Sequence, residues 1–184
     1  MVALHAAGRT APAHPLRLPD HRGAGVLIRA LRPADAAAVD ALLAQLGYPQ
    51  AGPAATAERI EAWTNDPSSA AYAAAVDPAP TGVPDGVAGL VAVHVCPYFE
   101  RPGAWGRIVA LVVSDTVRGN GIGTRLVEAA EAFALERGCV RIEVTSNDRR
   151  AGAHAFYRAR GYTVQTGHSS RFLRDLTTGP AAPR

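Results

Sequence analysis

Lysine is missing from this sequence: every one of its 19 basic residues is an arginine. That reflects base composition rather than chemistry. The positive charge is dispersed, the net charge is only +3, and no basic run exceeds Arg149-Arg150. A nucleic-acid surface concentrates its basic residues in a stripe or cluster, so neither DNA nor RNA is expected as a partner. Long apolar runs are missing too. None approaches the roughly 18 residues that a bilayer crossing demands, and no membrane partner is expected. Residues 1–22 alternate alanine with proline, histidine and arginine and hold no continuous apolar stretch, which argues against a secretory signal. These absences together predict a cytoplasmic protein. Cysteine is scarce: Cys96 and Cys139 form no CxxC pair and read as reduced, partly buried small hydrophobes. The histidines fall at no HExxH or paired ligand spacing, so no metal site is expected.

What is present is an ordinary globular composition, 48% hydrophobic and 19% charged, in a chain long enough for one real core. We expect a flexible extension over 1–22, a folded domain over 23–177 and a loose tail over 178–184. Val26 to Arg32 reads as a strand. Pro33 and Asp35 open a helix that runs to Leu46, with Val39, Leu42, Leu43 and Leu46 on its apolar face and Gly47 as its stop. A second helix covers about Ala54 to Asn65 and carries Ile60 and Trp63. Residues 69–76, Val87 to Val95 and Gly106 to Val113 have strand length and composition. A helix follows with Ile122, Leu126, Ala130 and Phe133 in register and Gly138 as stop. Val140 to Thr145 alternates Val140, Ile142 and Val144 inward with Arg141 and Glu143 outward. Asn147-Asp148 caps a helix to Arg160. Tyr162 to Thr166 and Arg171 to Leu176 close as a hairpin-like pair. The order β-α-α-β-β-β-α-β-α-β-β predicts a mixed α/β domain.

One stretch carries chemistry. Residues 118–123 read Arg-Gly-Asn-Gly-Ile-Gly, between a strand and a helix. A glycine loop that opens a helix aims several backbone N–H groups at one point, and the helix dipole adds partial positive charge. That arrangement suits a pyrophosphate. The spacing is neither GxGxxG nor GxxxxGK[ST], which disfavours dinucleotide and P-loop readings. It matches Arg/Gln-x-x-Gly-x-Gly/Ala, and Phe156-Tyr157-x-x-x-Gly161-Tyr162 follows downstream. On these two signatures the chain resembles the GNAT superfamily of N-acetyltransferases over roughly Val26 to Leu176. The resemblance implies a central, mostly antiparallel mixed sheet flanked by helices, with acetyl-CoA as co-substrate. By analogy with the superfamily, a homodimer is possible.

The backbone N–H groups of Gly119, Gly121, Ile122, Gly123 and Thr124 would hold the pyrophosphate, with Asn120 in the same loop and Arg118 adding charge. The resemblance further implies that the backbone of Leu111 and Val113 pairs with the pantetheine arm. The N–H of Leu111 or Val112 would then face the thioester oxygen. Tyr157 is the candidate general acid, since a phenol of pKa near 10 can protonate a thiolate whose conjugate acid lies near 8.5. His154 lies one turn earlier on a similar face. Asn147 is either a coenzyme contact or a helix cap. For the general base the strand Arg107 to Val113 offers neither carboxylate nor histidine. Glu100, His94, His154, His168 or a water chain remain open. Tyr48, Trp63, Tyr98, Glu100 and Trp105 mark the region expected to take the acceptor.

The expected activity is acetyl transfer by direct attack of a small primary amine, such as an aminoglycoside, amino sugar, polyamine or amino acid. Two other readings stay open: a protein or peptide N-terminus as acceptor, and a sensor that binds acyl-CoA without turnover.

Overall fold

The computed structural model describes residues 25–168. The expected extension, the tail and the strand at Arg171 to Leu176 lie outside the described residues. Two compact units divide between Thr145 and Ser146.

The first unit is a five-stranded sheet in the order β1-β2-β3-β4-β5. Its strands are β1 (Gly25–Ala30), β2 (Ser69–Asp77), β3 (Val87–Pro97), β4 (Ala104–Val113) and β5 (Cys139–Val144). The first four pair antiparallel, and β4 pairs with β5 in parallel, which makes the sheet mixed. A 3-10 turn at Pro33–Asp35 leads into α1 (Ala36–Leu46), α2 is Pro53–Asn65, and α3 (Ile122–Glu136) joins β4 to β5.

The two faces follow from strand alternation. Leu90 and Val112 point to one side, where they join Val39 and Leu42 of α1 and Ile60 of α2 in a buried cluster. Gly89, one residue over, points to the other side. A Cβ there would stand 2.8 Å from the Val112 carbonyl and 3.1 Å from the side chain of Leu126. Gly106 does the same beneath Ala134, at 3.0 Å. Missing side chains thus let α3 lie close against the sheet. Leu126, Val127 and Ala130 of α3 are completely buried, and each Leu-sized burial contributes about 2 kcal/mol.

The turn into α1 is held by charge. Arg29 grips Asp35 with two bonds of 2.7 Å, and the Arg32 N–H donates to the same carboxylate at 2.8 Å. Burial alone would push the Asp35 carboxyl up. The Arg29 and Arg32 hydrogen bonds and charges outweigh it and hold the carboxyl below its ordinary range. Gly47 ends α1 at φ +100°, as its position in the sequence predicts.

Strand β5 departs from the expected alternation. Ala104 pairs with Cys139 and Trp105 with Arg141, so Val140 is an extra, bulged residue and is 69% exposed. A bulge shifts the phase of the side chains that follow it.

The second unit contains α4 (Ala151–Ala159). Asn147 does not cap this helix. Its side-chain oxygen accepts the Arg149 N–H at 2.9 Å, closing a turn, and Arg150 occupies the cap position. An asparagine can satisfy the backbone two residues on as readily as a helix end. Tyr162 to Thr166 forms no strand. A strand exists only through its ladder partner, and none of the described residues pairs with this segment.

Candidate functional site

Strand β4 is paired unequally on its two sides. Its β3 ladder runs from Ala104 to Val113, whereas its β5 ladder stops at Ile108. The β3 register jumps from Ala92↔Ala110 to Val93↔Ile108, leaving Val109 as a bulge that is 47% exposed. Past the bulge, the Ser114 N–H donates to the Ala88 carbonyl at 2.8 Å. That bond sets the phase of the antiparallel ladder: Val112 aims its N–H and C=O at β3, and Leu111 and Val113 aim theirs away. Arg118 Nε reaches the Val113 carbonyl from that outer side at 3.2 Å. Among the described residues no strand pairs with β4 beside Leu111. Its N–H and C=O form a short open edge.

The glycine loop lies just beyond β4. Gly119 and Gly121 adopt φ of +86° and +74°, a region that disfavours other residues, and a Cβ at either would meet nothing within 4 Å. Gly121 occupies the N-cap of α3 and offers no side chain to its first turn. The N–H groups of Ile122, Gly123 and Thr124 belong to that turn, which has no intrahelical acceptors for them. The Asn120 amide donates to the Val117 carbonyl at 3.2 Å, and Arg118 forms an ion pair with Asp115. Both side chains thus brace the loop. The donors of an uncapped 15-residue helix, with open space before the glycines, fit a phosphate group. The open edge at Leu111 fits an extended amide chain.

On the α1–α2 face a groove of about 440 Å³ lies between α2 and the ends of β3 and β4. Arg59, Trp63, Asp66, His94, Arg107 and the bulged Val109 line it. Ser69 Oγ donates to Asp66 Oδ2 at 2.7 Å and lies 2.9 Å from His94 Nδ1. The Asp66 carboxyl sits below its ordinary range because the Ser68 N–H and then the Ser69 hydroxyl bond to it. Arg107 donates to Glu143 at 2.6 Å, while Arg59 bonds neutral partners, Thr56 at 2.8 Å and Gln50.

Of the aromatic and acidic residues expected near an acceptor, Trp63 lines this groove, its indole N–H held by the Ala70 carbonyl at 3.0 Å. Tyr48 is 63% exposed, Glu100 pairs with Arg101, and Arg101 stacks over Tyr98 at 4.0 Å. Trp105 lies on β4 opposite Cys96. None of these four contributes to the groove walls. Arg59, Asp66, Ser69 and Val109 went unanticipated. Only Asp66, at the end of a helix and just before a strand, carried a local signal, and that signal reads equally well as a turn.

In the second unit, Tyr157 is half-buried on α4, with its ring 5.2 Å from Phe156 and 5.5 Å from Tyr162. Burial raises its phenol above the ordinary value, and Arg150 opposes that only in part. His154 is half-buried one turn earlier, and His168 is exposed in the final turn.

A model of the acetyltransferase (GNAT) family matches residues 37–162. An aminoalkylphosphonate N-acetyltransferase of Salmonella typhimurium is 34% identical over 76 residues, 41% of this chain and 49% of that protein. The chain thus spans about half the length of that relative. A GNAT family acetyltransferase of Staphylococcus aureus superimposes with a TM-score of 0.65 at 21% identity, over 82% of this chain and 98% of the other. An aminoglycoside N-acetyltransferase in complex with CoA gives 0.66 at 17% identity, over 84% and 97%.

Proposed function

The chain belongs to the acetyltransferase (GNAT) family, and from that premise we propose that it moves an acetyl group from acetyl-CoA to a primary amine of a small molecule. The observation that carries this reading is the open edge of β4 at Leu111, set beside a glycine loop that begins a helix. The coenzyme supplies an activated acetyl thioester. Backbone N–H groups of Gly119 to Thr124 hold its pyrophosphate, and Arg118, fixed to Val113 and Asp115, keeps positive charge beside the loop. The Leu111 carbonyl and the outward N–H of Val113 bond the pantetheine arm as a neighbouring strand would. Val112 turns its N–H toward β3, so the donor to the thioester oxygen is the N–H of Leu111. Tyr157, held protonated by burial, gives its proton to the departing thiolate. Asn147, which accepts the Arg149 N–H, and His154 are the further coenzyme contacts that the family resemblance suggests.

The sequence relative acts, by its name, on an aminoalkylphosphonate. That is a small amine, which favours this class over a protein N-terminus. The test is release of coenzyme A thiol from acetyl-CoA near pH 8 with aminoalkylphosphonates, aminoglycosides, amino sugars, polyamines, amino acids and short peptides. Turnover on a small amine supports the reading. Turnover on peptides alone shifts the acceptor to a polypeptide, and binding of acetyl-CoA without any turnover favours a sensor.

A further inference from the structure

The groove beside α2 holds a polar chain that the reaction above leaves unused. Asp66 is the fixed end. Its carboxylate accepts the Ser68 N–H at 2.9 Å and the Ser69 hydroxyl at 2.7 Å, and these bonds keep it ionised. An ionised carboxylate cannot donate, so the Ser69 proton points to Asp66. Ser69 Oγ then has only lone pairs left for His94 Nδ1, 2.9 Å away. His94 therefore carries its proton on Nδ1 and keeps the Nε2 lone pair free.

We propose that His94 Nε2 is the proton acceptor for the amine substrate, with Ser69 and Asp66 as the positioning residues that set its tautomer. The inference rests on the acetyltransferase reading and supplies the base that β4 lacks. Substrate enters the groove as an ammonium. One N–H bond breaks, its proton moves to Nε2 directly or through one water, and the nitrogen lone pair becomes free to attack. The N–C bond then forms as the C–S bond breaks, the thiolate takes its proton from Tyr157, the second proton on the new amide nitrogen restores that phenol through water, and His94 returns its own proton to solvent. The position is suitable: Val109, a wall of the same groove, is two residues from Leu111. The other charges around the ring are Arg59 from α2 and Arg107 from β4. Arg107 is neutralised by Glu143 of β5, and Trp63 of α2 stands 6.2 Å from the ring. Among the described residues, Asp66 is thus the one carboxylate lining the groove.

Two readouts decide it. Long-range proton–nitrogen NMR on histidine-labelled protein should show His94 protonated on Nδ1, and Ser69→Ala should disturb that tautomer. This measurement needs no substrate, and an Nε2–H form in the wild type overturns the proposal. With whichever amine of the panel turns over, His94→Gln should lower kcat/KM by roughly 10²- to 10⁴-fold and remove the acid limb of the pH profile. Asp66→Ala should lower kcat/KM and, like Ser69→Ala, disturb the Nδ1–H tautomer, because the Ser69 proton then has no carboxylate to hold it. A merely structural role would lower activity and leave the tautomer in place. His94→Gln with wild-type rate and pH profile overturns the base. A wild type silent on every amine instead overturns the acetyltransferase reading itself, and the tautomer spectrum still reports on the relay.

Discussion

At the scale of single residues, Tyr157 and Asp35 are two acids that burial pushes the same way, yet they end shifted in opposite directions. Tyr157 is raised by burial and stays protonated at neutral pH, the state an acid must start from. Tyr157→Phe should therefore leave acetyl-CoA binding intact and lower kcat about 100-fold. An unchanged kcat in steady-state assays would remove the role and leave the ring as packing for Phe156 and Tyr162. Asp35 is depressed despite its burial, because Arg29 grips it twice. A carboxyl depressed in the folded state contributes stability that is present above its unfolded pKa, about 3.9, and is lost as pH falls through the lower folded value. Urea midpoints should drop between about pH 4 and pH 2 in the wild type. Asp35→Asn should cost about 2–3 kcal/mol at pH 7, since it strands a half-buried guanidinium, and should flatten the acid dependence. Equal slopes for the two proteins would place the acid sensitivity elsewhere.

At the scale of elements, β4 carries two edges of different worth. The Val112 N–H belongs to the β3 ladder, while the Leu111 N–H points away from it, where no described strand pairs. Proline removes one N–H and fixes φ, which strands tolerate only where no ladder bond is lost. Leu111→Pro should fold and lose thiol release, whereas Val112→Pro should fail to give a cooperative melt by circular dichroism. If both fold equally well, the ladder phase is wrong. The helices were legible in the chain because their signals are local: Pro33, Gly47, Gly138 and the apolar stripe of α3 sit within a few residues of what they control. The bulges at Val109 and Val140 were not. Each is decided by how a neighbouring strand is registered, and that neighbour is distant in sequence. Tyr162 to Thr166 failed as a strand for a related reason. Its composition permits a strand, but pairing must supply one.

At the scale of the whole molecule, packing of α3 on the sheet depends on side chains that are missing. Gly89→Ala would push a methyl toward the Val112 carbonyl at 2.8 Å and toward Leu126. Backbone cannot yield there as a flexible side chain could, so the variant should lose about 1–3 kcal/mol in chemical denaturation. A change within error would mean that α3 shifts freely over the sheet. The fold class was accessible from the order of elements, and the mixed five-stranded sheet agrees with it. The loop at 118–123 was accessible as well, since glycine at positive φ before a helix is a short-range pattern.

The sequence by itself determined the helices, the five strands of the sheet, the glycine loop and the family, because each is encoded in spacing of a few residues and in backbone preferences that act locally. Only the tertiary structure decided which backbone groups of β4 stay unpaired, and only it assembled the groove. Asp66 with Ser69, His94 and Arg107 come from three separate places along the chain, and their types alone do not announce a partnership. Register and strand pairing bring Ser69, itself bonded to Asp66, within hydrogen-bond distance of His94, and that proximity sets the tautomer from which Nε2 would take a proton.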